Sequence, residues 1–439
     1  MWAKAAEKMI ESGIDYVSPD QLRRGLYIDL ELGWMSHPFP TSSFKISTDR
    51  QIETIRSLGL KRVRFVPSRS DPPSTDEAPE ATHPAAAAVA TDAAQAPVLT
   101  PEQAQRAHTA RLLDAQRRSL AQCDQQFGAA SRHYQAVLEQ VHKEPAQAAR
   151  HSQEMVAGVV EALMGNGESA IRLLSDGMGD RVGMHPVNVT VLCLLLGKAL
   201  GLGGEALREL GCAAFLHDVG KSAMAERVRL QGGQLPHDEQ GWQEHVALGV
   251  GLGSVMGLPE GVLRAIAEHH EQADGSGYPN QLRGGAMSMP GCILGLVNRY
   301  ENLCNPARPS SAVTPHEALA LIFSRMQACF EAPVLAAFIR MMGVYPPGSV
   351  VQLGNERYAL VVSVNSTRPL KPRVIVHEPA VPPEQALILD LEQEGAPGIR
   401  RSIKPAALPR AAMDYLSPRS RICYFFERAM PVLAPGAAA

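Results

Sequence analysis

Two successive histidines, His269 and His270, close what reads as a helix from Pro259 and run into Glu271-Gln272-Ala273-Asp274-Gly275-Ser276-Gly277-Tyr278-Pro279. Neighbouring helical positions diverge by about 100°, so adjacent imidazoles reach one ion only where a helix ends, and the glycine-rich segment supplies that end. A His-His pair alone is more often surface or core than ligand. Its partners decide the matter, and three other segments offer them. His185 precedes the apolar run 187–202, His217 and Asp218 close a helix over 205–216 ahead of Gly220 and Lys221, and His245 follows Trp242 on a further helix.

Five histidines and one aspartate at helix ends suit first-row metals such as iron, manganese or zinc, which accept mixed nitrogen and oxygen shells. Asp218 is the natural bridge between two ions. A carboxylate in that position, with terminal imidazoles around it, belongs to sites that hold a hydroxide between metals. Ions about 3.5 to 4 Å apart can also clamp the oxygens of a phosphoryl group undergoing in-line displacement. Lys221 could neutralise phosphate charge or protonate a leaving oxygen, and a plain salt bridge is the competing reading.

The elements that must position these residues follow from pattern. Thr48 and Gln51 form a capping box for a short helix ending at Gly59, flanked by strand-like runs over 26–30 and 62–66. With them, residues 14–67 make a small α+β domain in which Trp34 and the turn His37-Pro38-Phe39 read as packing. A short helix over 2–12 precedes it. Residues 68–99 are rich in Pro, Ala, Ser, Thr and acid, and are expected to be a disordered linker. A second capping box, Thr100 with Gln103 and Pro101 at the first helical position, opens a helical arm over 100–167, with helices to about 141 and from 145 to 164. It reads either as packed on the next domain or as a dimerising segment that would make a homodimer.

Residues 168–345 are the densest helical region. Past Pro346 the pattern alternates at 350–353, 358–364 and 373–376, with Asn355 in a hairpin-like turn, which gives a small β element over 346–390 and an irregular tail over 391–439. The fold class is mainly α. A hydrophobic content of 45% over 439 residues is ample for cores, and a formal charge of −3 argues against a nucleic-acid polymer as partner. The seven cysteines are scattered with no C-x-x-C pair, as in a reducing cytosol. No basic-then-apolar leader opens the chain, and the apolar run 189–202 is short and contains Lys198, so no membrane association and a cytoplasmic location are expected.

The set His217-Asp218-Val219-Gly220-Lys221, then His245, then His269-His270-Glu271 with Asp274-Gly275-Ser276-Gly277-Tyr278-Pro279, resembles the HD-GYP family of cyclic di-GMP phosphodiesterases. The likeness runs from His185-Pro186-Val187-Asn188 to Tyr345-Pro346-Pro347-Gly348-Ser349-Val350, and residues 14–67 resemble the small domain of unknown function that often precedes HD-GYP domains. The resemblance implies an HD-superfamily helical core. It also implies a metal-dependent hydrolase that opens cyclic di-GMP to pGpG or GMP through a metal-bound hydroxide, with two divalent ions, iron or manganese, as cofactors. Carried over by position, His185, His217 and Asp218 hold the first ion, and Asp218, His245, His269 and His270 the second. Asp218 and Lys221 are the catalytic candidates. Lys221 and Arg308 face substrate phosphate, and the Gly277-Tyr278-Pro279 turn lies by the site and is credited with contacts to a signalling protein partner.

Two positions depart from the family pattern. Asn298 stands where an aspartate completes the first ion's shell, and Arg181 stands where some members place a glutamate for a third ion. A neutral amide is the poorer donor, which predicts a weakly held first ion and reduced activity. The alternative function is a catalytically weak HD-GYP protein acting as a cyclic di-GMP sensor or adaptor.

Overall fold

The computed structural model describes residues 15–30, 43–71, 100–165, 168–177, 181–224, 239–365, 368, 370–393 and 395–428. The expected helix over 2–12, the Trp34 and His37-Pro38-Phe39 turn and nearly all of the expected linker lie outside the described residues. The chain divides into two compact units, residues 1–106 and 107–439.

In the first unit, β1 (Asp15–Val17), β2 (Tyr27–Asp29), β3 (Ser43–Lys45) and β4 (Val63–Phe65) form an antiparallel sheet in the order β1-β4-β2-β3. Helix α1 (Asp49–Ser57) starts at the anticipated box: Thr48 Oγ1 accepts from the Gln51 amide at 3.3 Å while Gln51 Oε1 accepts from the Thr48 amide at 3.0 Å. Ile28, Ile46, Ile52, Ile55 and Val63 fill its core.

The second unit is helical around one apolar element. Helices α2 (Pro101–Gln140) and α3 (Pro145–Gly165) lead into β5 (Ser169–Leu173), α4 (Arg181–Ala199), α5 (Gly204–Leu216), α6 (Glu239–Met256), α7 (Glu260–Glu268), α8 (Met289–Cys304), α9 (Pro315–Arg325) and α10 (Ala332–Met342). Leu192, Leu194 and Leu196 of α4 are buried among α5, α8 and α10. Residues 182–199 are long and apolar enough to span a membrane by length and composition, more so than the sequence pattern suggested, yet most of the segment is buried in the fold as the core helix.

An antiparallel sheet covers one side of the helices. β6 (Val350–Leu353), β7 (Tyr358–Asn365) and β8 (Arg373–Val376) coincide with the three alternating runs, and Glu356 takes a positive φ in the hairpin after Asn355. The sheet also draws on segments read otherwise from sequence. β5 comes from the stretch assigned to the helical domain. The supposedly irregular tail contributes β10 (Ile399–Ile403), helix α11 (Arg410–Leu416) and β11 (Tyr424–Arg428), and β9 (Ile388–Asp390) pairs with β8. The sheet order is β10-β6-β7-β5-β11, with β8 beside β7. All five residues of β5 are buried, so it lacks the alternation that reveals a half-exposed strand.

Helix α2 is tied to this sheet through its middle, over residues 116–124. Gln116 Nε2 donates to the Ala386 carbonyl at 3.1 Å, and Gln116 Oε1 accepts from the Ile388 amide at 3.0 Å. Ser119 donates to Glu427, whose other oxygen lies 3.8 Å from the buried Arg172 guanidinium. Asp124 accepts from the Ser175 hydroxyl at 2.6 Å, and Tyr134 meets the edge of Phe215 with ring centroids 5.2 Å apart. These are the contacts of an arm packed on its own domain.

Candidate metal centre

Helix α5 buries nearly every residue from Leu207 to Leu216 and delivers His217 at its C-cap. Asp218 follows with φ −98° and ψ 6°, and the chain turns into a tight helical segment, Val219–Ala223. That turn lies flat on α6. A Cβ added at Gly220 would stand 2.0 Å from the His245 carbonyl oxygen and 2.4 Å from the Gly249 nitrogen, so only glycine lets the two backbones approach. The glycine after the His-Asp pair therefore sets how near His245 comes to Asp218.

The imidazoles converge through one device. His217 Nδ1 donates to the Ala214 carbonyl at 2.7 Å, His245 Nδ1 to Trp242 at 2.5 Å, and His269 Nδ1 to Ile266 at 2.6 Å, each three residues back on its own helix. With the proton at Nδ1, Nε2 is a lone pair. These lone pairs face one another. His245 Nε2 lies 3.2 Å from both His269 and His270 Nε2, and His217 Nε2 lies 3.1 Å from the Nε2 of His185, whose proton an ion there would displace. Two acceptors at such range repel unless a cation lies between them. Donors about 2.1 Å from one ion and at right angles stand about 3.0 Å apart, close to the spacing seen here.

Asp218 divides its carboxylate between the two groups. Oδ2 is 3.4 Å from His185 Nε2 and 3.4 Å from His217 Nε2; Oδ1 is 3.6 Å from His245 Nε2 and 4.0 Å from His269 Nε2. Oδ1 is buried and makes no hydrogen bond among the described residues. An orphaned carboxylate oxygen beside imidazole lone pairs is costly unless a cation satisfies it. The donor set thus fits two cations, one at His185, His217 and Asp218 and one at His245, His269 and His270. Burial pushes His217 down to about 4 and holds His245, His269 and His270 below the ordinary imidazole range, so these four are neutral and ready to ligate near pH 7. Burial would raise Asp218, but Lys221 and the flanking histidines hold it well below the usual carboxylate range.

His270 joins its neighbour because α7 ends at Glu268, the helix end inferred from the Asp-Gly-Ser-Gly stretch. Its ring is stacked on Tyr278, centroids 4.6 Å apart and planes 16° from parallel. The turn bearing Tyr278 is clamped by buried Glu271, which accepts from the Asn280 amide at 2.6 Å and the Leu282 amide at 2.9 Å. Gly277 is forced by contact: a Cβ there would lie 2.3 Å from the Gln272 nitrogen. Pro279 follows through a cis bond.

Residues 154–331 match the model of the HD domain family, and residues 16–151 match that of a domain of unknown function, DUF3391. A Pseudomonas aeruginosa protein named cyclic di-GMP phosphodiesterase is 25% identical, over 81% of this chain and 83% of that one. The chain carries an HD domain and resembles the HD-GYP family. A Xanthomonas campestris pv. campestris protein, a cyclic di-GMP phosphodiesterase response regulator, is 33% identical over 33% of this chain and 39% of its own. A Vibrio cholerae protein named 3'3'-cGAMP-specific phosphodiesterase 2 is 34% identical over 28% of this chain and 24% of its own. Relatives of this chain therefore carry names with different cyclic dinucleotides in them.

The fold places the other anticipated residues unevenly. Lys221 forms an ion pair with Asp218. Asn298 is buried on α8, and its Oδ1 accepts from Asn302 Nδ2 at 2.8 Å. Arg308 is exposed beyond α8, without a hydrogen bond to any of the ligands among the described residues. The side chain of Arg181 lies outside the described set. One residue was missed. Glu301, buried and one turn beyond Asn298, bonds His185 Nδ1, while its other oxygen accepts from Asn305 Nδ2 at 2.8 Å. A carboxylate on the far nitrogen of a ligating histidine fixes the tautomer and makes Nε2 more basic. Burial would lower His185, but Glu301 and Asp218 outweigh it and push it up to about 9. The available signal was Glu301 at i+3 from Asn298, on the same face of one helix.

Proposed function

We propose that this protein is a metal-dependent phosphodiesterase that hydrolyses cyclic di-GMP to pGpG or GMP in bacterial second-messenger signalling. The reading is carried by one observation, a buried carboxylate shared between two groups of imidazole lone pairs. Its support in kinship is that relatives of the chain are named cyclic di-GMP phosphodiesterases.

His185, His217 and Asp218 would hold one divalent ion, and Asp218, His245, His269 and His270 the other, with iron or manganese suited to the shell. Such an ion pair, when bound, supplies Lewis acidity and water that ionises near neutral pH. The chain's own groups do the rest. Glu301 holds the His185 Nδ1 proton, so Nε2 stays aimed at Asp218. Lys221 places an ammonium beside Asp218, where it can draw in phosphate oxygens or give a proton to the leaving oxygen. Tyr278 stacks on His270 and fixes the plane of that ring. We place the activity in the cytoplasm, in keeping with seven free cysteines.

The test is anaerobic purification, metal analysis and incubation with cyclic di-GMP, with 3'3'-cGAMP in parallel, and chromatography of the products. Turnover with iron or manganese supplied, yielding pGpG or GMP, is the expected result. Nucleotide binding without any product would overturn the enzyme reading in favour of a sensor.

A further inference from the structure

Lys221 has two neighbours with opposite responses to metal. One is Asp218, whose carboxylate pairs with the ammonium directly. The other is Trp242, whose ring centroid lies 4.6 Å from Lys221 Nζ. Trp242 stands on α6 one turn before His245, its ring centroid 5.3 Å from that of His245, and its carbonyl takes the His245 Nδ1 proton. The close packing at Gly220 fixes the turn carrying Lys221 against this helix.

Once Asp218 is committed to divalent cations, its pull on the ammonium is spent, and the cations themselves repel it. A neutral π face keeps its attraction, because that attraction comes from the ring quadrupole. We infer that Trp242 positions Lys221, its indole face retaining the ammonium at the edge of the metal centre when Asp218 no longer can. This rests on the phosphodiesterase reading of the same site. Trp242 is a positioning residue and touches no reacting atom in the argument. A cation–π contact of ordinary strength corresponds to a loss of about two- to thirtyfold in rate when the ring is removed.

The experiment is a double-mutant cycle on the full-length, metal-loaded protein, with Trp242→Leu, Trp242→Phe, Lys221→Met and Trp242→Leu/Lys221→Met assayed on cyclic di-GMP and bis(p-nitrophenyl) phosphate. Trp242→Leu is expected to lower kcat within that range, Trp242→Phe to restore most of it, and the Leu change to have no further effect in the Lys221→Met background. An equal loss in both backgrounds, or a rise in KM alone that persists without Lys221, would overturn the inference and make Trp242 a packing or base-stacking residue. A readout without turnover accompanies it. In NMR of lysine-ε-13C-labelled protein, the Lys221 ε protons are expected upfield through the indole ring current, with and without manganese's diamagnetic substitute zinc, and unshifted in Trp242→Leu. Normal Lys221 shifts in the zinc-loaded wild type would sink the inference whatever the activity. Upfield shifts alongside a wild type that turns over neither ester would sink the phosphodiesterase reading and leave the contact standing.

Discussion

Replacing Gly220 by alanine tests the geometry of the centre without touching a ligand. The new Cβ would meet the His245 carbonyl oxygen at 2.0 Å, the Gly249 nitrogen at 2.4 Å and the Gly249 Cα at 2.9 Å, whereas real Cβ contacts essentially never fall below 3.0 Å. Every one of these neighbours is backbone, so no side chain can swing away. The turn and α6 must part by about 1 Å, several times the roughly 0.2 Å tolerance of a ligand distance. His245 rides on α6, so the group it forms with His269 and His270 opens, while His185 and His217 stand on other elements. We expect one metal equivalent to bind about 10 to 100 times more weakly, the scale on which lost ligand orientation acts, with the other less affected. Overpacking is expected to cost about 1 to 3 kcal/mol of stability. Metal titration of the chelated protein, followed by elemental analysis and by the metal-induced rise in Tm, measures both. Two equivalents bound by Gly220→Ala with wild-type affinity would refute the argument that this glycine sets the His245 position.

Three further outcomes follow from the same geometry. His185 is raised to about 9, so at pH 7 it carries a proton that an ion must displace; loading of its group should strengthen about tenfold per pH unit from 7 toward 9, while the depressed His245, His269 and His270 group stays flat. Calorimetry in buffers of different ionisation heat should find about one proton released for the first group, Glu301→Gln should flatten the rise, and equal slopes for both groups would contradict it. Asn298→Asp is expected to raise occupancy of the His185 group and the rate with it; unchanged metal content would show that residue 298 is no ligand. Glu271→Gln exchanges a two-oxygen carboxylate acceptor for one oxygen and an amide, so the part-buried N–H of Asn280 or Leu282 loses a charge-assisted bond worth about 1.5 to 3 kcal/mol, and hydrogen exchange over 271–282 should speed up.

What could be read from the chain and what could not have separable causes. His217, Asp218, His269 and His270 were legible because helix ends are written locally, in caps, glycines and the end of an apolar period, whereas His185 and His245 lie inside helices Arg181–Ala199 and Glu239–Met256 and are brought in by packing. The strands at 350–376 show because one face alternates. Glu301 stayed hidden because a buried glutamate on an apolar helix has no local mark; its meaning lies in a contact with His185 across 116 positions. β5 stayed hidden because burial on both faces erases alternation, and β11 because the same holds for its first three residues, Tyr424 to Phe426. Trp242 read as a neighbour of His245 in sequence, while its closeness to Lys221 needed the fold.

The seam between α2 and the sheet bears on how such chains could be recombined. The two family matches meet between residues 151 and 154, inside the unbroken helix α3, whose buried face includes Ser152, Met155 and Val156. Heredity and folding therefore draw different borders. An exchange of modules at the family junction would sever a helix and strand α2, with Ser119, Asp124 and Tyr134, away from Glu427, Ser175 and Phe215. A graft that carries residues 100–428 as one piece keeps every one of those partners, and with them His142, whose Nε2 lies 3.0 Å from the hydroxyl of Ser222 beside Lys221.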